Sequence, residues 1–151
     1  MRARERIAHL PPGAVAQRTD EGWSPLEHIG HLLDLEQLWS GRLSDFAAGH
    51  PELRPADLEN RATWEADHNR SPPEAILDAL EAARNRLLDQ IDAMSEVVVT
   101  RSARHPRLLQ DMSVADLLHF VAEHDDHHLA AVTALGRRAG TQPTSGTSGA
   151  G

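Results

Sequence analysis

Apolar residues recur at steps of three and four along three stretches of the chain, and each stretch opens on a helix-start signal. The first begins at Ser24-Pro25-Leu26-Glu27. Ser24 can cap, Pro25 suits the first helical position, and Glu27 completes a capping box. The spacing predicts a helix running toward Ala48. Its stripe is Leu32, Leu35, Trp39, Leu43 and Phe46, and Gly49 with His50-Pro51 stops it. Trp23, just before the cap, is placed to staple onto the first turns.

The second stretch opens at Ser71-Pro72-Pro73-Glu74, read as the same capping device. Its stripe is Ile76, Leu80, Ala83, Leu87, Ile91 and Met94, with Glu81, Arg84, Asn85 and Asp92 on the opposite face. The third opens at Ser113-Val114-Ala115-Asp116, a capping box with Asp in the third place, and is expected to reach Arg138. Its stripe contains Val114, Leu117, Val121, His124, His128, Val132 and Leu135.

The remaining segments are shorter. Ala3 to Leu10 can form a fourth helix of about two turns before Pro11-Pro12. A short helix is expected around Asp57–Trp64, an extended segment at Val97–Thr100, and a loop over 101–112. From Gly140 the chain is rich in Gly, Ser and Thr. The expected organisation is one all-α bundle domain over 1–139, with a short first helix, and a disordered tail over 140–151.

Composition narrows the function. All fifteen basic residues are Arg, against 23 acidic ones, and the net charge is −8. An acidic chain without a basic stretch argues against nucleic-acid binding, because phosphate contacts supply most of that affinity. Cys is absent, which excludes disulfides, thiolate metal sites and a Cys nucleophile. No apolar run approaches the roughly 20 residues of a membrane span, and the N-terminal residues lack the apolar segment of a signal peptide. A cytoplasmic soluble protein without membrane or nucleic-acid partners is the expectation.

Ten His stand against three Trp, two Phe and no Tyr, so a metal site is the first chemistry to weigh. The sharpest feature is Glu123-His124-Asp125-Asp126-His127-His128. His124 and His128 stack one turn apart inside the apolar stripe, where two imidazoles can grip one divalent ion. A third ligand must come from another helix. His28 and His31 are the candidates, and the periodicity weakly favours His28, which lies nearer the centre of its stripe. The His124–His128 interval lacks the Glu of a zinc-protease motif. Glu65-Ala-Asp-His68 is a single element of the kind di-iron bundles need twice. No Gly-rich phosphate loop or Gly-x-Ser-x-Gly elbow is present.

Trp23-Ser24-Pro25-Leu26-Glu27-His28-Ile29-Gly30-His31-Leu32-Leu33-Asp34 resembles the Trp-Ser/Thr start and His-Leu-x-Asp element of the DinB/YfiT-like family of metal-binding helical bundles. His124-Asp125-Asp126-His127-His128-Leu129 is similar to that family's His-x-x-x-His near the end of the last helix, and His105-Pro106 matches a common lead-in. The ordered set spans about residues 7–138. The resemblance implies an up-down-down-up four-helix bundle, often a homodimer. It implies His31, His124 and His128 as metal ligands, which sets His31 above His28. The family's first helix is usually longer than the stub before Pro11-Pro12.

Three neutral imidazoles leave a divalent ion at least one open position, from which it can acidify water or hold a thiolate. Zinc or nickel is expected, since imidazole suits both. The resemblance implies transfer of a low-molecular-weight thiol, such as bacillithiol or mycothiol, to an electrophilic small molecule. The thiol would be a cosubstrate, which the absence of Cys allows. Metal-dependent hydrolysis, and a non-catalytic metal-binding or stress-response module, remain as alternatives. Asp34, one turn beyond His31, is placed to orient an imidazole or bound water as an acid/base group. Glu123, Asp125 and Asp126 read first as a solvated face and otherwise as negative charge that helps hold a cation. Trp23 and Trp39 read first as core and otherwise as pocket wall. Arg42, one turn beyond Leu38, reads first as half of a surface ion pair and otherwise as a contact for an anionic substrate.

Overall fold

Six α-helices and one small hairpin follow one another among residues 2–19 and 22–141, which the computed structural model describes. They are α1 (Arg2–Ala8), α2 (Pro25–Ala48), α3 (Arg61–Ala66), α4 (Pro73–Asp92), α5 (Glu96–Val99), β1 (Ser102–Arg104), β2 (Asp111–Ser113) and α6 (Val114–Thr141). A 3₁₀ turn, His68–Arg70, lies between α3 and α4. No helix among the described residues is long and apolar enough to cross a membrane.

The start of α2 is set by local chemistry. The Glu27 N–H donates to Ser24 Oγ at 3.1 Å, and the Ser24 N–H donates to Glu27 Oε2 at 2.8 Å. Two otherwise orphaned donors are thereby satisfied, an arrangement worth about 1 kcal/mol for the cap alone. Arg18 reaches back to the same carboxylate through Nε at 2.9 Å. At the other end Gly49 turns left-handed at φ 73° and donates to the Asp45 and Phe46 carbonyls. Ser113 and Asp116 repeat the box at α6, with the Ser113 N–H on Asp116 Oδ2 at 2.8 Å.

The helix directions follow from the side-chain pairings. Arg84 meets Glu36 and Gln90 meets Ser40, so α2 and α4 run parallel. His31 lies by His124 and Trp39 by Phe120, so α6 runs back along α2. Arg2 pairs with Asp126 and Leu10 packs on Gly136, so α1 runs with α6. The result is an up-down-down-up four-helix bundle. Its first helix has only seven residues, yet Ala3 and Ile7 enter the core and Arg4 pairs with Asp78 at 2.7 Å.

Two parallel neighbours joined in sequence require a long return. Residues 49–72 supply it, running along α2 and bringing α3 and the 3₁₀ turn beside its first half. The core is divided. Leu26, Ile29, Leu77, Leu80, Leu129 and Val132 belong to one cluster, and Trp39, Leu43, Phe46, Leu87, Leu117 and Val121 to another. Between these clusters Glu36, Arg84 and Asp125 are joined, and His124 and His128 lie in the same interval of α6, while His31 lies on α2 between Ile29 and Leu32 of the first cluster.

Several expectations are corrected. Ser71 does not cap α4. Pro72 is the N-cap, and the Ser71 N–H closes the 3₁₀ turn onto the His68 carbonyl at 3.0 Å. Val97–Thr100 is not extended; Glu96–Val99 forms a helical turn, with Val98 packed on the second cluster. The 101–112 segment is not all loop, since β1 pairs antiparallel with β2 through Ala103 and Met112. The short helix expected at Asp57–Trp64 sits later, at Arg61–Ala66. The last helix reaches Thr141, two residues into the segment read as tail, and residues 142–151 lie outside the described ones.

Candidate metal centre

His31, on α2, and His124 and His128, on α6, each offer a ring nitrogen such that all three atoms lie within 4.8 Å of one another. Their ring centroids are 4.5 to 5.3 Å apart. A tetrahedral zinc site with bonds of about 2.05 Å sets its nitrogens about 3.4 Å apart, a change that small side-chain rotations cover. His28 is not in this group. Its Nδ1 lies 2.8 Å from Nδ1 of His128, so it is a neighbour of one of the three. The burial order is the reverse of the one its stripe suggests: His31 is buried, His28 half-buried. The reason is that α2 packs on α4, on α6 and on the return segment, so more than one of its faces is covered.

All four imidazoles are held neutral. Burial and the neighbouring His124 bring His31 down to about 4. Burial, then His124, His31 and His28, brings His128 down to about 2. Burial lowers His28 and His124 as well. Neutral rings present lone pairs, the form a metal needs.

The tautomer of His31 is set by a chain the sequence pattern does not reveal. Thr63, from α3, donates through Oγ1 to Asp34 Oδ2 at 2.8 Å. Its hydroxyl proton is thus spent, so Thr63 must accept from His31 Nδ1–H, 3.0 Å away. The Nε2 lone pair of His31 is left free. Asp34 also receives His68 Nε2 at 2.9 Å. The His68 ring lies against α2 where Gly30 has no side chain, because a Cβ there would meet it at 2.2 Å. Asp34 therefore reaches His31 through Thr63, and its carboxylate also takes His68.

The residues present fit a divalent ion. His124 Nδ1 is buried with no hydrogen-bond partner among the described residues, and a buried imidazole nitrogen needs one. For His128, donation through Nδ1–H to His28 leaves Nε2 its lone pair.

The three imidazoles sit at the edge of a cleft of about 610 Å³. Trp23 is one wall, its ring 4.7 Å from His31 and 6.0 Å from His128. It is half-buried and lies on the imidazoles, which corrects the expectation that it is core. Trp39 is both core and wall, buried against Phe120 and 5.9 Å from His124. Exposed His127 lies at the rim. Of the acids beside the pair, Asp125 is not a solvated residue, because Arg84 holds it at 2.7 Å. Asp126 pairs with Arg2, and Glu123 is exposed near His119. Arg42 makes no surface ion pair: it is 1% exposed and lines the cleft.

The fold has solved counterparts. YfiT from Bacillus subtilis, described as a probable metal-dependent hydrolase with an unusual four-helix bundle topology, superposes with a TM-score of 0.76 at 22% identity. The match covers 92% of this chain and 80% of that one. A mycothiol-dependent maleylpyruvate isomerase matches with a TM-score of 0.67 at 13% identity over 91% of this chain. The chain spans 61% of that isomerase's length. At these identities the likeness establishes the fold. No curated protein matches the chain. The model of the DinB superfamily matches residues 1–132, and the chain belongs to that superfamily.

Proposed function

We propose that His31, His124 and His128 hold a divalent metal ion, zinc or nickel, and that the centre serves the transfer of a low-molecular-weight thiol to a small electrophile. The observation that carries this reading is the convergence of three neutral imidazole nitrogens at the edge of a cleft walled on one side by Trp23, Trp39 and Phe120. When bound, such an ion with an open position stabilises a thiolate at neutral pH. The chain has no Cys, so the sulfur must arrive with a substrate.

The protein's own residues supply binding and orientation. Thr63 and Asp34 hold the His31 ring in one tautomer, and His28 orients His128. Trp23, Trp39 and Phe120 exclude water from one side of the cleft and offer flat apolar surface to an organic electrophile. Similarity in fold to a mycothiol-dependent isomerase supports the thiol, as a matter of analogy.

Hydrolysis is the second reading, favoured by the fold match to a probable metal-dependent hydrolase. A hydrolase needs a base beside the attacking water. Asp34 is engaged by Thr63 and His68, and Asp125 by Arg84. Exposed His127 at the rim is the group left for that task.

The test begins with metal content per chain, for wild type and for His31→Ala and His124→Ala. A near-stoichiometric divalent metal, lost in both variants, is expected. Metal-loaded protein is then given an activated aryl chloride or an aryl ester, with and without a small thiol. Consumption of the chloride only when thiol is present supports transfer. Ester cleavage without thiol supports hydrolysis. Unchanged metal content in both variants refutes the centre itself.

A further inference from the structure

Arg42 is the most buried cation of the described chain, at 1% exposure, and it lies on the same face of α2 as His31. Eleven residues separate them, about 16 Å along the helix axis. An Arg side chain on a helix leans back toward the N-terminus, which shortens the gap to roughly 10 Å. Its Nε donates to the Arg54 carbonyl at 3.1 Å. Its two terminal nitrogens have no hydrogen-bond partner among the described residues. The nearby acid, Asp45, is already taken by Arg54 through Nε at 3.1 Å and Nη2 at 2.8 Å. Burial takes water from the guanidinium, and the charge of Asp45, which Arg54 holds, offsets only part of that cost.

His105 stands next to it. Its Nδ1 accepts the backbone N–H groups of Arg107 and Leu108, both at 3.2 Å. That double acceptance puts the proton on Nε2, which is buried and has no partner among the described residues. The nearby Arg42 charge adds to burial in lowering His105, so the ring stays neutral and this N–H remains a donor. Both residues line the cleft that holds the three imidazoles. Trp39 lies between the two ends, its ring 5.5 Å from Arg42 Cζ and 5.9 Å from the His124 ring.

The local charge agrees. In a chain of net charge −8, the charged residues along this cleft are Arg42, Arg107 and Asp57. Asp57 spends its carboxylate on the N–H groups of Glu59 and Arg61. Resting on the metal-dependent reading of the site, we propose that Arg42 and His105 form its anion end and that the substrate carries a carboxylate. The guanidinium fork matches the two oxygens of a carboxylate, and the His105 Nε2–H adds a third donor. Trp39 and Phe120 pack the apolar body, and the reacting atom falls at the imidazoles. A body of four to six carbons or one aromatic ring spans about 4–6 Å, and with a contact distance of about 3 Å at each end it fits that interval.

The probe is 4-phenylbutyrate against its uncharged isostere 4-phenylbutyramide. Each is titrated into the zinc-loaded and the metal-free full chain, and binding is followed by ligand-observed NMR. The variants are Arg42→Gln and His105→Asn. Asn keeps an acceptor for the two loop N–H groups and lacks the donor that faces the cleft, so it answers if Arg42→Gln fails to fold. The expected result is that the carboxylate binds at least about tenfold tighter than the amide in both metal states. Each folded variant loses that preference while binding zinc at the wild-type stoichiometry. Equal binding of the two probes by the metal-free protein overturns the proposal. So does a carboxylate preference that needs zinc and ignores both substitutions, because the carboxylate would then sit on the metal. A chain that binds no zinc, but still prefers the carboxylate through Arg42 and His105, would refute the metal reading and keep the anion end.

Discussion

Thr63→Val is expected to weaken metal binding without emptying the site. The hydroxyl that Val lacks accepts from His31 Nδ1–H at 3.0 Å and donates to Asp34 Oδ2 at 2.8 Å. Thr63 is 3% exposed, so no water takes its place easily. In the metal-free protein His31 escapes the loss, because a neutral imidazole can move its proton to Nε2 or turn its ring. With a metal on Nε2 neither escape is open, and Nδ1–H stays buried without an acceptor. The cost of such a donor is about 1–3 kcal/mol, and it falls on the bound state alone. Affinity should therefore drop about 10- to 100-fold, in the range found for partners that orient metal ligands.

The assay is competition for zinc against a chromophoric chelator near neutral pH, with Thr63→Ser as the control. Ser keeps the hydroxyl and should stay within about threefold of wild type. A Val variant within about twofold of wild type would refute the account of how His31 is oriented. Equal losses in Ser and Val would point to packing of the Thr methyl rather than to the hydroxyl.

Three other outcomes follow from the geometry. His28→Ala should keep one metal per chain, with affinity reduced by about tenfold at most through His128, whereas His31→Ala should lose it; metal analysis of the two purified variants gives the answer, and the reverse pattern would restore the order His28's stripe suggests. Burial opposes ionisation of Glu27, but Arg18 and the Ser24 N–H outweigh it and hold the carboxyl at about 2, below its ordinary value of 4.5. A lowered folded pKa contributes stability above the unfolded value and loses it as pH falls toward the folded one, so wild type should lose about 1–2 kcal/mol between pH 5 and pH 2 that Glu27→Gln does not, after allowance for the half-exposed Arg18; parallel denaturant titrations that show the same acid limb for both proteins would contradict this. Gly30→Ala should destabilise by about 1–3 kcal/mol despite the better helix propensity of Ala, because its Cβ displaces the His68 ring; a raised melting temperature would mean that His68 is not seated there.

The parts of this fold that are readable from the chain are those set by neighbours in sequence. Ser24 with Glu27, and Ser113 with Asp116, begin their helices through bonds three residues apart. Val121, His124, His128 and Val132 share a face because a helix repeats every 3.6 residues. The same rule that places His124 over His128 ranks His28 above His31, yet it is His31 that converges with them. A single stripe describes a helix covered on one face, and α2 is covered by α4, by α6 and by the return segment. Ser71 misleads for a local reason: two prolines follow it, and the first of them takes the cap position. The Val97–Val99 run misleads for the opposite reason. Its β-branched residues suit a strand, but β1 already pairs with β2, and Val98 buries itself on the second core cluster as a helical turn instead.

What the pattern conceals most is the set of groups that tune the centre. Thr63 and His68 arrive on a segment whose course depends on two parallel helices being neighbours, a fact of topology that no local spacing carries. Arg42 is concealed differently. Its spacing from Leu38 allows contact with an anionic substrate, but an Arg on a helix reads first as half of a surface ion pair, and only the closure of the return segment and the hairpin loop over α2 buries it beside His105. A side chain read first as a surface charge is thereby a buried cation in the cleft that the three imidazoles edge. The sequence carries a clear signal for the ligands, because two imidazoles on one helix obey the helical repeat. It carries a partial signal for the groups around those ligands: Asp34 is legible one turn beyond His31, whereas Thr63 and His68 come from a different element and meet it only through the fold. On the proposed reading Thr63 and His68 hold the ligands and Arg42 and His105 face the substrate, so mutagenesis of these four separates metal binding from substrate binding in a way that further variants of the imidazoles do not.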